Sequence, residues 1–436
     1  FSTGNLVLSS AGTTTFTTGS GSAGGITVAG TIDGTNGQNE ALALESGSGA
    51  IQLQGTIGGT NPVTTLAINS TNGSAGTIEI VGIGDSDTTG ASSTATIGNT
   101  STGTLTLDGT IYKTGGNQTY VASATGNDSG QNIDITGAAT FTTTNDAVAF
   151  NTSGVDLANN GTTTINTGTG IGDVSFAGAL ESNGGSNDLL VITSGAGDVT
   201  FTGAVGATNA LGGLDVNSSA GDGDITFSST IGDSGNAGVV GTTAIGGTAT
   251  EDVNLAGLIY SFDGGTTITA ADGDNIKLTG TGDVTFTTAA DNIEFATGHI
   301  HLADGSNLVV DTGALLGNIT IAEIAGTSVE TVTLDAGTGT TSVGPIGSGT
   351  EIGDLSIGSD ANGGITLNGA IVTDGTVLID GPVTLATGAV SVTTANDTIT
   401  FNHTINGTQT LTLESGSAAI KLDGAIGGTG ILTGLS

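Results

Sequence analysis

The chain has 436 residues, 80 of them Gly, with 11 Phe, 3 Tyr, and no Trp, Cys or Met. Three Lys+Arg stand against 40 Asp+Glu, a formal net charge of −37. Phosphate binding needs clustered cations, so nucleic acid and anionic lipid are excluded as partners, and the lack of Cys excludes disulfides and thiolate chemistry.

Disorder is the first rival for a chain rich in Gly, Ser, Thr and Asn. Positive mean hydropathy and regular alternation of apolar with polar residues oppose it. No apolar run approaches a membrane span. The first residues, "FSTGNLVL", are already in pattern, and the last stop inside a repeated phrase, so both edges read as cuts through something longer.

In chain order, the Thr lines "TTTFTT" at 13–18 and "TTTIN" at 162–166 raise ice binding through a flat hydroxyl ladder. That ladder needs coils of constant length, and the repeat described next lacks it. "ALESGSGAIQLQGTIGGT" at 43–60 returns as "TLESGSAAIKLDGAIGGT" at 412–429, identical at 13 of 18 positions. The same phrase, extended over 46–68, aligns without gaps to 194–216, an offset of 148, and a degenerate copy lies at 317–336. "TLTLDGTIYKTGGNQTYVA" at 104–122 aligns to "DVNLAGLIYSFDGGTTITA" at 252–270, again offset by 148, with a shorter relative at 364–380. A third phrase runs through 140–150, 285–295 and 391–401. The chain therefore reads as one continuous array over 1–436, about three and a half copies of a 100–148-residue supermotif. The period shortens along the chain, which a stack of coils tolerates by losing a coil.

Each phrase contains the form apolar-x-apolar-x-Gly-x-apolar, as at Ile51/Leu53, Val199/Phe201, Ile276/Leu278 and Ile365/Leu367. Period-2 alternation predicts short strands with one buried face, separated by turns such as "TGGN", "ADGD" and "SGAG". No helical period persists. The predicted class is all-β, an elongated parallel β-solenoid (β-helix) of roughly 25 residues per coil, about 17 coils and a rod on the order of 80 Å. Two or three strands per coil, and the handedness, stay open. The alternative is a string of tandem β-sandwiches, which favours one large buried Trp or Tyr per domain. The few aromatics point instead to a thin aliphatic core.

In phrases such as "GDVTFTGAVGAT", "GGITLNGAI" and "LESGSGAI" the chain resembles the repeat regions of very large bacterial surface proteins, the filamentous-haemagglutinin-like and β-strand-repeat adhesins. The resemblance covers essentially the whole chain. It implies an extracellular, cell-surface solenoid, a stalk, fibre or coat segment used in adhesion or surface coating; separately, the unpaired strand edges of open coil ends predict continuation into a longer chain or end-to-end association. The resemblance carries over no catalytic residue.

Site chemistry is sparse. "GDSD" at 84–87, "GDGD" at 221–224 and "DGDN" at 272–275 place Asp85, Asp87, Asp222, Asp224, Asp272 and Asp274 in Gly turns, where calcium prefers its ligands. Asp is equally an ordinary turn residue, and the tandem of calcium-loaded β-rolls is absent. His299 and His301, with Glu294 and Asp304 nearby, form the nearest approach to a metal pair. The alternation of Ile300 and Leu302 with them predicts that both rings face water. The carboxylates are spread over the repeats, there is no Arg or Trp, and Lys113, Lys277 and Lys421 are dispersed, so the chain is not expected to be an enzyme. Sequons at Asn69, Asn117 and Asn318 are expected by chance at this composition. The competing role is an adhesin module recognising a receptor or glycan, with 81–103 as the longest departure from the repeat. A calcium- or ice-binding solenoid is the second alternative.

Overall fold

The computed structural model describes residues 4–19, 24–35, 39–71, 76–124, 131–183, 187–219, 221–327, 329–358, 363–386 and 388–436. These residues contain strands and turns and no helix, and they build a β-solenoid of about 17 turns. The described pairings are parallel, which excludes the antiparallel sandwich alternative. The chain falls into two compact units, Phe1–Thr226 and Phe227–Ser436.

In unit 1 the described coils run through three faces, meeting each with a strand or, as at Ile57, Ile83 and Val205, with an isolated bridge. Gln118–Val121, Gln131–Ile135 and Thr140–Thr142 form one coil. Val148–Asn151, Gly154–Leu157 and Thr162–Asn166 form the next and pair with them in the same order. Unit 2 repeats the plan: Asn275–Leu278, Gly282–Thr287 and Ile293–Phe295 are followed by His299–Leu302, Ser306–Asp311 and Ile319–Ile321. Coil length varies, as the wandering period requires. Stacked partners lie 30 residues apart at Tyr120 and Phe150, but 18 apart at Ile365 and Val383.

The alternation works as expected. In Ile51–Leu53, Ile78–Ile80 and Ile365–Leu367 the flanking residues are buried and the middle one faces out. The pattern inverts in Ile111–Lys113 and Ile259–Ser261, where Tyr112 and Tyr260 point inward. Each tyrosine hydroxyl accepts the N–H of a glycine three residues earlier, Gly109 or Gly257, at 2.9 Å. These two residues occupy equivalent places in the 148-residue repeat. All three tyrosines are fully buried.

The core is less uniformly aliphatic than composition implies. Parallel register places Tyr120, Phe150, Phe176 and Phe201 on successive coils of one face. Their rings stack at centroid distances of 5.0–5.2 Å and interplanar angles of 3–16°. These four rings form one ladder, where offset stacking adds to area burial, while Tyr112 with Phe141 and Tyr260 with Phe286 stack on other faces.

The recurring glycine is a requirement of close approach. A Cβ at Gly203 would lie 2.3 Å from the Gly178 carbonyl carbon, and one at Gly178 would lie 2.4 Å from the Gly154 nitrogen. Coils can meet at this corner only without side chains.

The segment 81–103 is no insertion. Ile83 bridges Ile57 and Tyr112, Ala91 bridges Val63 and Thr114, and Ala95–Gly98 is a paired strand. Its counterpart 148 residues on does likewise, with bridges Ile231 to Tyr260 and Val239 to Phe262. A polar composition concealed a regular coil.

Candidate functional site

The side-chain chemistry of this chain is largely directed at its own backbone. At or just past the end of a strand, at corners between different faces, a buried hydroxyl donates to a carbonyl three residues later. Ser46 bonds Gly49 O at 2.6 Å, Ser194 bonds Gly197 O at 2.6 Å and Thr288 bonds Asp291 O at 2.7 Å. Thr394 and Ser415 do the same with Asp397 and Ala418. Thr167 and Thr312 close a wider version, donating to the carbonyls of Gly172 and Gly317. Alternation alone does not reveal these inward hydroxyls. The recurrence of Ser or Thr directly after an apolar strand is the signal that marks them.

One of the acidic Gly turns is tied to its own backbone in the same way. Asp85 Oδ1 accepts the N–H groups of Asp87 at 2.9 Å and Thr88 at 2.6 Å. The Thr88 and Asp87 N–H groups hold its pKa below the usual carboxylate value, with a smaller contribution from Lys113. Its repeat counterpart Asp233 accepts from Gly235 and Asn236. Gly84 and Gly232, at φ +74° and +73°, make these turns possible. Asp87, Asp222 and Asp272 are exposed. The Asp224 N–H donates to Asp198 Oδ1 at 3.0 Å, as the Asp198 N–H does to Asp173 Oδ1. Asp274 N–H closes its own turn on Ala271 O at 3.0 Å. Among the described residues no three His, Asp or Glu side chains are grouped so as to hold a metal ion.

His299 and His301 flank buried Ile300 on one strand and face outward, as the alternation requires. The fold separates them from Glu294, which lies exposed on another face, and supplies different neighbours. His299 Nε2 is 3.6 Å from Glu323 Oε2, and His301 is in register with Lys277, which forms an ion pair with Asp252. Asp304 lies in the turn after the strand and is exposed.

Unit 2 also carries a shallow groove of about 340 Å³ lined by Ser234, Asn236, Ser261, Phe262, Asp263 and Thr288 among others. Its lining is mostly small and polar.

The most perturbed carboxylate lies where no motif pointed. Asp134, Asp156 and Glu181 occupy one register position on the adjacent strands Gln131–Ile135, Gly154–Leu157 and Leu180–Ser182. Burial, then the charges of Asp134, Glu181 and Asp188, push the Asp156 carboxyl up to about 6. Burial also raises Asp134. Glu181 is raised by burial, against the lowering effect of N–H bonds from Asn209 and Thr208. The three residues are 22 to 47 positions apart in sequence, and only coil length brings them into line. Chemically, the column favours taking up a proton at mildly acidic pH.

Comparison with known proteins adds no identity: no family model, no curated protein and no solved structure matches this chain.

Proposed function

We propose that this chain is a structural segment of a large repetitive protein outside the cell, a stalk, fibre or coat built by stacking coils. The observation that carries this reading is what the internal copies keep. Gly84 and Asp85 recur as Gly232 and Asp233, and Gly109 and Tyr112 as Gly257 and Tyr260. Each kept residue closes or packs a coil. Selection for a single ligand site has no reason to duplicate such devices, whereas selection for a stack does.

The outward surface fits the same role. Thr320, Ser342, Thr366 and Thr384 form a short outward column in unit 2, and charge is overwhelmingly negative. Such a surface favours solubility and repels non-specific anionic partners. Three lysines in 436 residues leave few sites for trypsin-like proteases. Partnership by end-to-end association, or by continuation into more coils, completes the reading, since strand edges at a coil end offer unpaired backbone groups.

Immunogold electron microscopy of the source cells with an antibody to this chain tests it. Label on extended material outside the cell is the expected result. Label confined to the cytoplasm overturns it. A glycan or receptor array read with the same chain tests the adhesin alternative, and a specific, saturable binder there would replace the structural reading.

A further inference from the structure

The column of Asp134, Asp156 and Glu181 is fixed by backbone, not by side-chain choice. Ladder hydrogen bonds hold neighbouring strands about 4.8 Å apart, so three like charges in register have no route to separate while the coils stay stacked. The groups that face Asp156 are Asp134 from the strand before, Glu181 from the strand after, and Asp188 from the segment leading into Leu189–Thr193. Thr106, one coil further back, is in register with Asp134 and brings no charge.

The flanking carboxylates are committed as acceptors. Glu181 is 2% exposed and accepts N–H groups from Thr208 at 3.1 Å and Asn209 at 2.8 Å. Asp188, also 2% exposed, accepts from the N–H groups of Asn159 and Asn160 at 3.1 and 2.6 Å and from the Ser182 hydroxyl at 2.5 Å. No cation balances them: Lys113 is the sole Lys, Arg or His in residues 1–226, and it donates to the Ser86 carbonyl.

We propose that Asp134, Asp156 and Glu181 form a proton-operated clasp, in which one proton taken up by the column draws the strands at 131–135, 154–157 and 180–182 together at mildly acidic pH and its release near neutrality loosens that face of unit 1. The proton converts one repulsive contact into an O–H···O⁻ hydrogen bond between carboxyl groups, the short charge-assisted kind. Because the sites are coupled, the proton belongs to the column, with Asp156 its main seat.

The direction follows from linkage. A carboxyl whose folded value is raised from 3.8 to about 6 binds a proton more tightly in the folded state. Its stabilisation is fully present below the unfolded value and is lost as pH rises through the folded value, between about 4 and 6. This is opposite to the usual acid denaturation of carboxylate-rich proteins.

Hydrogen exchange of the full chain, read by mass spectrometry with EDTA present and corrected for intrinsic rates, tests the clasp. Between pH 5 and pH 7.5 the opening constant of peptides within 131–157 should rise by up to about tenfold. That is the upper bound that linkage gives for one carboxyl moved from 3.8 to about 6, and solvent at the partly exposed Asp134 and Asp156 reduces it. Peptides from 253–278 serve as the internal reference. Asp156→Asn should flatten the pH response of 131–157. Asp134→Asn, which removes one neighbour and keeps Asp156, should move the response to lower pH. An unchanged response in Asp156→Asn overturns the proposal. So does a wild-type carboxyl titration of Asp156, followed by carbon NMR, with its midpoint near 4.

Discussion

The Tyr120 hydroxyl donates to the Gln118 side-chain oxygen at 2.9 Å, and neither side chain reaches solvent. The Gln118 amide nitrogen in turn donates to the carbonyls of Tyr112 and Thr142, at 2.9 and 2.8 Å. A polar group in a solenoid core is tolerated because each of its atoms is matched. Tyr120→Phe keeps the ring stack on Phe150 but orphans the Gln118 oxygen. The expected loss is about 1–3 kcal/mol, read as a lower midpoint in urea unfolding. A variant as stable as the parent would show that water or a repacked neighbour satisfies Gln118.

The reverse case occurs at Thr341. Its side chain is fully buried and its hydroxyl has no hydrogen-bond partner. Val has the same shape without the polar atom. Thr341→Val is expected to stabilise the chain by about 1 kcal/mol, seen as a rise in thermal midpoint. A fall would mean that the hydroxyl is engaged.

Glycines divide sharply by position. Gly203→Ala forces a methyl to within 2.3 Å of the neighbouring coil's backbone, where nothing flexible can yield. A loss of about 3 kcal/mol or more is expected, because overpacking against backbone exceeds ordinary core crowding. Gly265 has open space around it, so Gly265→Ala should change stability by less than about 0.5 kcal/mol. Paired urea titrations of the two variants decide the matter, and equal effects would contradict the close stacking of glycine corners.

Unit 2 contains a carboxylate of opposite pH behaviour. Glu330 takes N–H bonds from Thr327 at 2.6 Å and Val329 at 3.3 Å, and a bond from the Thr327 hydroxyl. Burial alone would raise its pKa, but the Thr327 hydroxyl and nearby N–H groups outweigh burial and lower it below 4.5. Its stabilisation is therefore present above the unfolded value and lost as pH falls below about 4.5. Glu330→Gln should cost about 1–2 kcal/mol at pH 7 and much less at pH 3. Denaturation curves at both values check this, and a cost independent of pH would argue that the loss is one of packing.

Much of this architecture is legible because its signals are local. Alternation in "AIQLQG" states which residues of a strand are buried, and phrases repeated at fixed offsets state that strands stack on their own copies. Site chemistry is less legible. Asp85 sits in a Gly turn that suits both a cation and a backbone N–H, and composition does not distinguish the two. The structure shows Asp85 accepting backbone N–H groups from its own turn. Glu294 is closer to His299 in sequence, but the carboxylate beside its ring is that of Glu323, one coil on.

By itself, the sequence determined the all-β class, the parallel stack and the rough coil length, since these follow from a two-residue period and a long repeat. Tertiary structure alone decided that each complete coil has three faces, that Tyr120, Phe150, Phe176 and Phe201 line up in one ladder, and that three carboxylates share one register position. The physical reason is coil length. Each turn adds a variable number of residues, from 18 to 30 in the pairings above, so which distant side chains come to lie 4.8 Å apart is fixed only when the backbone ladder closes.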